Sequence, residues 1–309
     1  MNIPKADKSP NSFFPIKGLI AALLIRFLYL LPSPIVRSIS LGISRLTFNL
    51  SAKKRNIILT NLRIAYPQLT DSQILDLARK SSRHSGLLLP EFLLVWFGNQ
   101  QQVEEKIISV ENRDIIEQLI NKSQPIIVAT PHIGNWEFLG QWIQINYPMM
   151  ALYSPSKLPQ MDKMILDSRR KFGGELYSAD NKGILNLLRK LKKGGLMIIL
   201  PDQVPTKGAG TYTPFFGQSA YTMTLLNKFV QKTQAQLIFA YCVRRKDERS
   251  SEIKIELPTF DCREKDVDIF NLGMNQQIEQ IINRYPEQYV WDYKRYKCQQ
   301  DDVNLYAMD

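Results

Sequence analysis

Cysteine and histidine are both scarce in this chain: Cys242, Cys262 and Cys298, and His84 and His132, are all that 309 residues contain. The cysteines show no C-x-x-C spacing and no framework pattern, which argues against a disulfide-stapled scaffold and a cysteine zinc site. Three isolated thiols fit a reduced, cytosol-facing protein. Two histidines leave little material for a His-rich metal centre, so no metal is expected and each histidine must be explained by its own neighbours. Internal repeats, low-complexity tracts and an obvious interdomain linker are also missing. So is a long uninterrupted apolar run. The nearest approach, residues 13–31 (FFPIKGLIAALLIRFLYLL), is broken by Lys17 and Arg26 and falls short of the roughly 18 apolar residues that mark a spanning helix. It meets Pro32-Ser33-Pro34 where a signal peptide would carry a small-residue cleavage site.

What is present is a hydrophobic fraction of 44%, enough for a full core, and a formal net charge of +11 with a pI of about 9.4. Such a surface attracts anionic partners: nucleic acid, acidic lipid headgroups or an acidic carrier protein. No nucleic-acid-binding module is recognisable, so nucleic acid is not expected among them. Basic residues flank the apolar segment on both sides, and it reads as an uncleaved N-terminal membrane anchor over 1–45, either spanning or lying in the interface. A buried amphipathic core helix is the alternative. Residues 46–309 form the remaining unit. From 35 to 98 the pattern is helical, with Thr70-Asp71-Ser72-Gln73 as a cap. Beyond 120, strands are expected at 124–130, 148–153, 196–200, 236–243 and 252–257, and helices at 136–145, 159–172, 181–193, 219–233 and 266–284. Strands alternating with helices predict an α/β fold, with a central mostly parallel sheet flanked by helices and an N-terminal membrane-associated helix.

Chemistry concentrates where the first of these strands hands over to a helix, at His132-Ile133-Gly134-Asn135-Trp136-Glu137. Strand ends are where ligands bind in such sheets. A carboxylate in the first helical turn can accept from one imidazole nitrogen and leave the other as a base. No serine or cysteine lies in the hexad, so an acceptor hydroxyl is the expected nucleophile. Gly134 allows close backbone approach, and backbone donors beside it are expected to hold an oxyanion. The same spacing also arises from ordinary helix starts. Asp167-Ser168-Arg169-Arg170 is a basic helix end, suited to phosphate or simply to the helix dipole. Pro201-Asp202-Gln203 follows the 196–200 strand, where Asp202 is either a site residue or a turn residue. Arg244-Arg245-Lys246 at a strand end reads as a solvated turn or a phosphate contact. His84 lacks a catalytic neighbour and reads as a packing or surface histidine.

Taken together, HIGNWE, the Pro-Asp-Gln loop, Lys54-Arg55-Asn56-Ile57, Asn61-Leu62-Arg63-Ile64-Ala65-Tyr66-Pro67 and the ending PEQYVWDYKRYK resemble the lipid A late acyltransferases, the lauroyl/myristoyl family within the lysophospholipid acyltransferase superfamily. The resemblance implies an acyltransferase domain over 46–309. It implies transfer of a fatty acyl chain from an acyl carrier protein thioester, with no cofactor, to a hydroxyl of a Kdo-bearing lipid A precursor. The expected setting is the cytoplasmic side of a Gram-negative inner membrane, with membrane lipids as further partners. It implies His132 as general base oriented by Glu137, and Arg169, Asp202, Gly134 and Asn135 as substrate-binding residues. Where the family commonly has Tyr-Arg-Pro this chain has Tyr153-Ser154-Pro155, which removes one cationic contact. Trp291 and Arg295 are expected to be structural. The H-x4-E pair alone would equally fit a glycerophospholipid or glycolipid acyltransferase using acyl-CoA, and the charge would fit a non-catalytic basic lipid-binding protein.

Overall fold

In a computed structural model, residues 14–155, 159–301 and 303–307 are described. The N-terminal third is helical: α1 (Phe14–Leu30), α2 (Ser33–Leu50), α3 (Ala52–Ala65), α4 (Asp71–Phe97) and α5 (Gln100–Glu104). Alternation begins with β1 (Ile107–Glu111), α6 (Arg113–Asn121), β2 (Ile126–Ala129), α7 (Trp136–Asn146) and β3 (Met149–Tyr153). It continues through α8 (Pro159–Arg170), β4 (Glu175–Ser178), α9 (Asn181–Leu191) and β5 (Leu196–Ile199). A hairpin of β6 (Gly210–Phe215) and β7 (Gln218–Met223) precedes α10 (Leu225–Thr233), β8 (Gln236–Arg244), β9 (Ser251–Glu256) and α11 (Val267–Arg284).

Seven strands form the central sheet in the order β1-β9-β8-β2-β5-β3-β4. All neighbours are parallel except β8 and β9, so the expected mostly parallel α/β sheet is present. Its central strands are buried on both faces, which is why β2 (IIVA) and β5 (LMII) are continuous apolar runs. Alternation still sorts their side chains. Ile126 and Val128 pack with Phe138, Leu139 and Trp142 of α7, whereas Ile127 and Ala129 face the larger core built with α9, α10 and α11.

The expected helix over 219–233 is shorter than its pattern suggested, because residues 218–223 are strand β7. Phe216 (φ +49°) and Gly217 (φ +74°) form a two-residue turn between Phe215 and Gln218, the backbone geometry that joins twisted hairpin strands. Tyr212 and Tyr221 pair across it at 5.0 Å, and only then does α10 start. Strands β1 and β4 were not expected, since each is short and largely unburied.

At the N-terminus, α1 has 17 residues, about 25 Å at 1.5 Å per residue, against a hydrocarbon core of about 30 Å. Among the described residues no helix is long and apolar enough to cross a membrane, so the spanning form of the expected anchor has no support. The α2 helix runs across the expected boundary at 45 and packs along α4. Pro90 lies inside α4 and cannot donate to the carbonyl of Gly86 four residues earlier. Ser40 Oγ of α2 donates to that carbonyl at 2.5 Å, and Ser44 Oγ donates to the Ser82 carbonyl at 2.5 Å. The chain's end is tied to α3, where Asn61 Nδ2 donates to the Trp291 and Tyr293 carbonyls at 2.7 and 2.8 Å. Trp291 and Arg295 are buried, and Arg295 donates to Tyr221 O and Thr222 Oγ1 at 2.8 Å each.

Candidate active site

The HIGNWE segment leaves the C-terminal end of β2 and is fastened on both sides before α7 begins. Ile133 bridges Tyr289, Gly134 N donates to Gln288 O at 3.0 Å, and Asn135 N donates to Cys242 O at 2.8 Å. Gly134 has φ +56°, and a Cβ there would lie 2.0 Å from Cys242 O, so no other residue fits. Asn135 Oδ1 then caps α7 by accepting from Phe138 N at 3.0 Å.

His132 meets Asp202. Its Nδ1 lies 2.7 Å from Asp202 Oδ1, and its backbone N–H donates to Asp202 Oδ2 at 2.9 Å. The parallel register explains the meeting: Ala129 of β2 pairs with Ile199 of β5, and His132 and Asp202 each stand three residues beyond those partners. The Asp202 side chain is fully buried. Burial alone would raise its pKa, but the adjoining imidazole and the two hydrogen bonds from His132 outweigh it and hold the carboxyl below its ordinary range. The His132 ring stands edge-on to Trp136 with centroids 5.0 Å apart. With Nδ1 committed to Asp202, Nε2 remains available for a proton.

The contact expected between Glu137 and His132 is therefore made by Asp202. Glu137, on the first turn of α7, faces α8 and pairs with Arg169, whose Nη2 and Nε both donate to it, the latter at 3.3 Å. Burial tends to lower the Arg169 pKa, and Glu137 more than restores it. The Arg169 guanidinium also lies 6.0 Å from the Tyr153 ring centre. Beside this pair opens a cavity of about 300 Å³. Glu137, Gly140 and Gln144 line it along α7, with Ala151 and Ile198 from the sheet, and Ser154, Arg169 and Trp136 also border it. Its walls are mainly aliphatic, with the Glu137–Arg169 pair at the start of α7 and Gln144 near its end, an arrangement suited to a hydrocarbon chain with a polar end.

Gly134 and Asn135 are placed differently from their expected role. Both are buried, and both backbone N–H groups are already donated to carbonyls. Asn135 Nδ2 donates to Glu91 at 3.0 Å. The oxyanion donors expected beside Gly134 must therefore come from elsewhere, and in the first turn of α7 the Trp136 and Glu137 N–H groups, which have no helical acceptor, are adjacent, whereas that of Phe138 is taken by the Asn135 cap. Arg244 is not in a solvated turn. Its side chain is 1% exposed and bidentate to Glu91, while Arg245 and Lys246 are exposed. Glu91 and Gln288 carry no local signal of a site, and Trp136, though inside the hexad, has a ring whose contact with His132 only the fold shows. His84 lies half-buried in α4 with Nδ1 unpartnered, and burial, followed by the nearby Arg244, pushes its pKa down to about 4.

The profile of the family described as bacterial lipid A biosynthesis acyltransferase matches residues 7–298. The chain belongs to that family. It is an acyltransferase of lipid A biosynthesis. Among its curated relatives is the lipid A biosynthesis lauroyltransferase of Escherichia coli (strain K12), 22% identical over 278 residues, which cover 88% of this chain and 89% of that protein. A lipid A biosynthesis acyltransferase of Haemophilus influenzae is 26% identical over 266 residues, 82% of this chain and 79% of the relative. The lipid A biosynthesis palmitoleoyltransferase of Escherichia coli is 23% identical over 267 residues, 86% of each. The two Escherichia coli relatives are named for different acyl chains, lauroyl and palmitoleoyl, while the alignment with each of the three spans most of both proteins.

Proposed function

We propose that this lipid A acyltransferase moves a fatty acyl chain from an acyl carrier protein thioester to a hydroxyl of a Kdo-bearing lipid A precursor, with His132 as general base. The observation that carries the reading is the His132–Asp202 pair, whose imidazole stands against Trp136, one of the residues lining the aliphatic cavity. Asp202 fixes the ring through Nδ1, so Nε2 takes the proton from the acceptor hydroxyl as its oxygen attacks the thioester carbonyl. The tetrahedral intermediate collapses, the C–S bond breaks, and the carrier thiolate leaves with the proton returned from His132. First-turn N–H groups of α7 and the Arg169 guanidinium are the donors nearest to the developing oxyanion. Glu137 holds Arg169 at the cavity mouth and acts on the substrate through it. The acyl chain occupies the cavity along α7.

The decisive experiment offers purified protein four combinations: a lipid A precursor or lysophosphatidate, each with carrier-bound or CoA-bound acyl donor. Turnover is expected with the lipid A precursor and carrier donor, and lost in a folded His132→Ala protein. Preference for lysophosphatidate, or full activity of His132→Ala, would overturn the assignment. The +11 net charge suits docking of an acidic carrier, so donor KM is expected to rise with ionic strength.

The working location proposed is the cytoplasmic side of a Gram-negative inner membrane, with the protein lying on the bilayer rather than crossing it. Leu19, Leu23 and Phe27 of α1 and Ile39, Ile43 and Leu46 of α2 are exposed, at three- and four-residue steps that align them on helix faces. Residues 14–70 contain eight Lys or Arg and no Asp or Glu, the charge balance of a segment that meets anionic headgroups.

A further inference from the structure

Glu91, directly after Pro90 in α4, and Arg244, the last residue of β8, are joined by two hydrogen bonds of 2.6 Å. Neither lines the aliphatic cavity. Both hold the loop that carries His132. Arg244 Nη2 donates to Gly134 O at 3.2 Å, and Glu91 Oε2 accepts from Asn135 Nδ2 at 3.0 Å. The backbone of Arg244 is in turn matched by the Gln288 side chain, with bonds of 2.8 and 2.9 Å, while the Gln288 carbonyl accepts from Gly134 N. The peptide between Gly134 and Asn135 is thus pinned at its oxygen by Arg244 and at its nitrogen by Cys242 O.

An ion pair this buried contributes little net stability compared with apolar side chains of similar size. Its geometry serves position instead. We propose that Glu91 and Arg244 are positioning residues for acyl transfer: they fix the Gly134–Asn135 peptide and the Asn135 cap, and so set both the aim of His132 and the direction of the first-turn N–H groups of α7. This rests on His132 as the base. His132 lies two residues before the pinned peptide plane's Gly134, and Trp136 and Glu137 follow Asn135 directly, so release of that plane displaces base and donors together. Misplacement on the order of 1 Å is enough to slow such a step about a hundredfold.

Removing one partner would strand a buried charge, so the primary test is the double variant Glu91→Met/Arg244→Met, which removes both. Kinetics with the acyl carrier donor and lipid A precursor are paired with hydrogen exchange of the full chain followed by mass spectrometry. The expected result is a folded protein with faster exchange confined to residues 133–138, kcat lower by about tenfold or more, and donor KM unchanged. Unchanged exchange, unchanged kcat, or a loss appearing only in KM would each overturn the proposal. If the double variant does not fold, Glu91→Gln takes its place, since the amide oxygen still accepts from Asn135 while the charge is gone; the same pattern at smaller amplitude is expected. Failure of the acyl-transfer reading would look different, as a wild-type protein without turnover. In that protein the exchange comparison, together with an NMR titration of His132 in a His84→Asn background, still decides the proposal: unaltered loop exchange and an unaltered His132 titration in the variant would sink it.

Discussion

At the scale of single residues, His132 is prepared by a partner that its own motif does not contain. Asp202→Asn keeps the shape of that partner but replaces an acceptor with an amide that can present N–H to Nδ1, turning the ring to the wrong tautomer. A fall in kcat of about 10² to 10⁴ is expected with KM nearly constant and the melting profile retained; equal kcat for the two proteins would remove Asp202 from the mechanism. Glu137→Gln loosens Arg169 and so weakens one of the proposed oxyanion donors; steady-state kinetics are expected to show a lower kcat with acceptor KM changed less, and an unchanged kcat would remove the pair from the step. His84 gives a separate, pH-dependent prediction. Its folded pKa is near 4 against an ordinary 6.5, so between those values the unfolded chain holds a proton that the folded chain rejects. Stability is therefore fully present above about pH 6.5 and declines as pH falls toward 4, by up to about 3 kcal/mol. Urea unfolding of wild type and His84→Phe at pH 5 and pH 7.5 checks this. The variant's loss on acidification is expected to be clearly smaller, and identical losses would contradict the assignment.

At the scale of elements, α7 explains how one short helix serves the loop, the mouth and the cavity. Its first turn carries Glu137, while Gly140 and Gln144 follow at helical spacing along the same face. A Cβ at Gly140 would meet no heavy atom within 4 Å, so a larger side chain there enters the cavity without disturbing the helix. Gly140→Leu is expected to shorten the preferred acyl chain by roughly three carbons, the reach of the added side chain, within a pocket at the small end of the ligand range. Competition among carrier-bound donors of different lengths, read by mass spectrometry of the product, tests it; an unchanged preference would mean that the chain lies elsewhere. The elements also show what was legible beforehand. β2, β5 and β8 were visible because strands buried on both faces must be continuous apolar runs, and the strand-to-helix step at His132 followed from that. The His132–Asp202 contact was not visible, because it depends on the register of two strands separated by about 70 residues of sequence. The β6–β7 hairpin was hidden by its turn, since Phe216 gives no signal for a positive φ. Arg244 looked solvated because its neighbours Arg245 and Lys246 are, and only the fold brings Glu91 to it.

At the scale of the whole molecule, the apolar faces of α1 and α2 and the uninterrupted positive charge of residues 14–70 are two terms with different salt behaviour. Each exposed aliphatic side chain contributes about 1.5 to 3 kcal/mol if fully buried in an acyl layer, and each Lys or Arg near an anionic surface about 1 kcal/mol. The apolar term is insensitive to moderate salt, and the charge term is screened by it. Co-sedimentation with vesicles of phosphatidylethanolamine and phosphatidylglycerol should therefore show strong binding at low salt that falls, without vanishing, as salt is raised. With phosphatidylcholine alone, binding should be weaker and nearly salt-independent. Leu23→Glu/Ile43→Glu, which places charge on both helix faces at solvent-exposed positions, is expected to weaken both kinds of binding by tenfold or more, on the order of the apolar contribution lost. Turnover of a detergent-dispersed acceptor should be retained, because neither residue borders the cavity along α7. Binding that disappears entirely in salt would assign the surface to electrostatics alone, and undiminished binding by the double variant would show that these helices do not carry the contact.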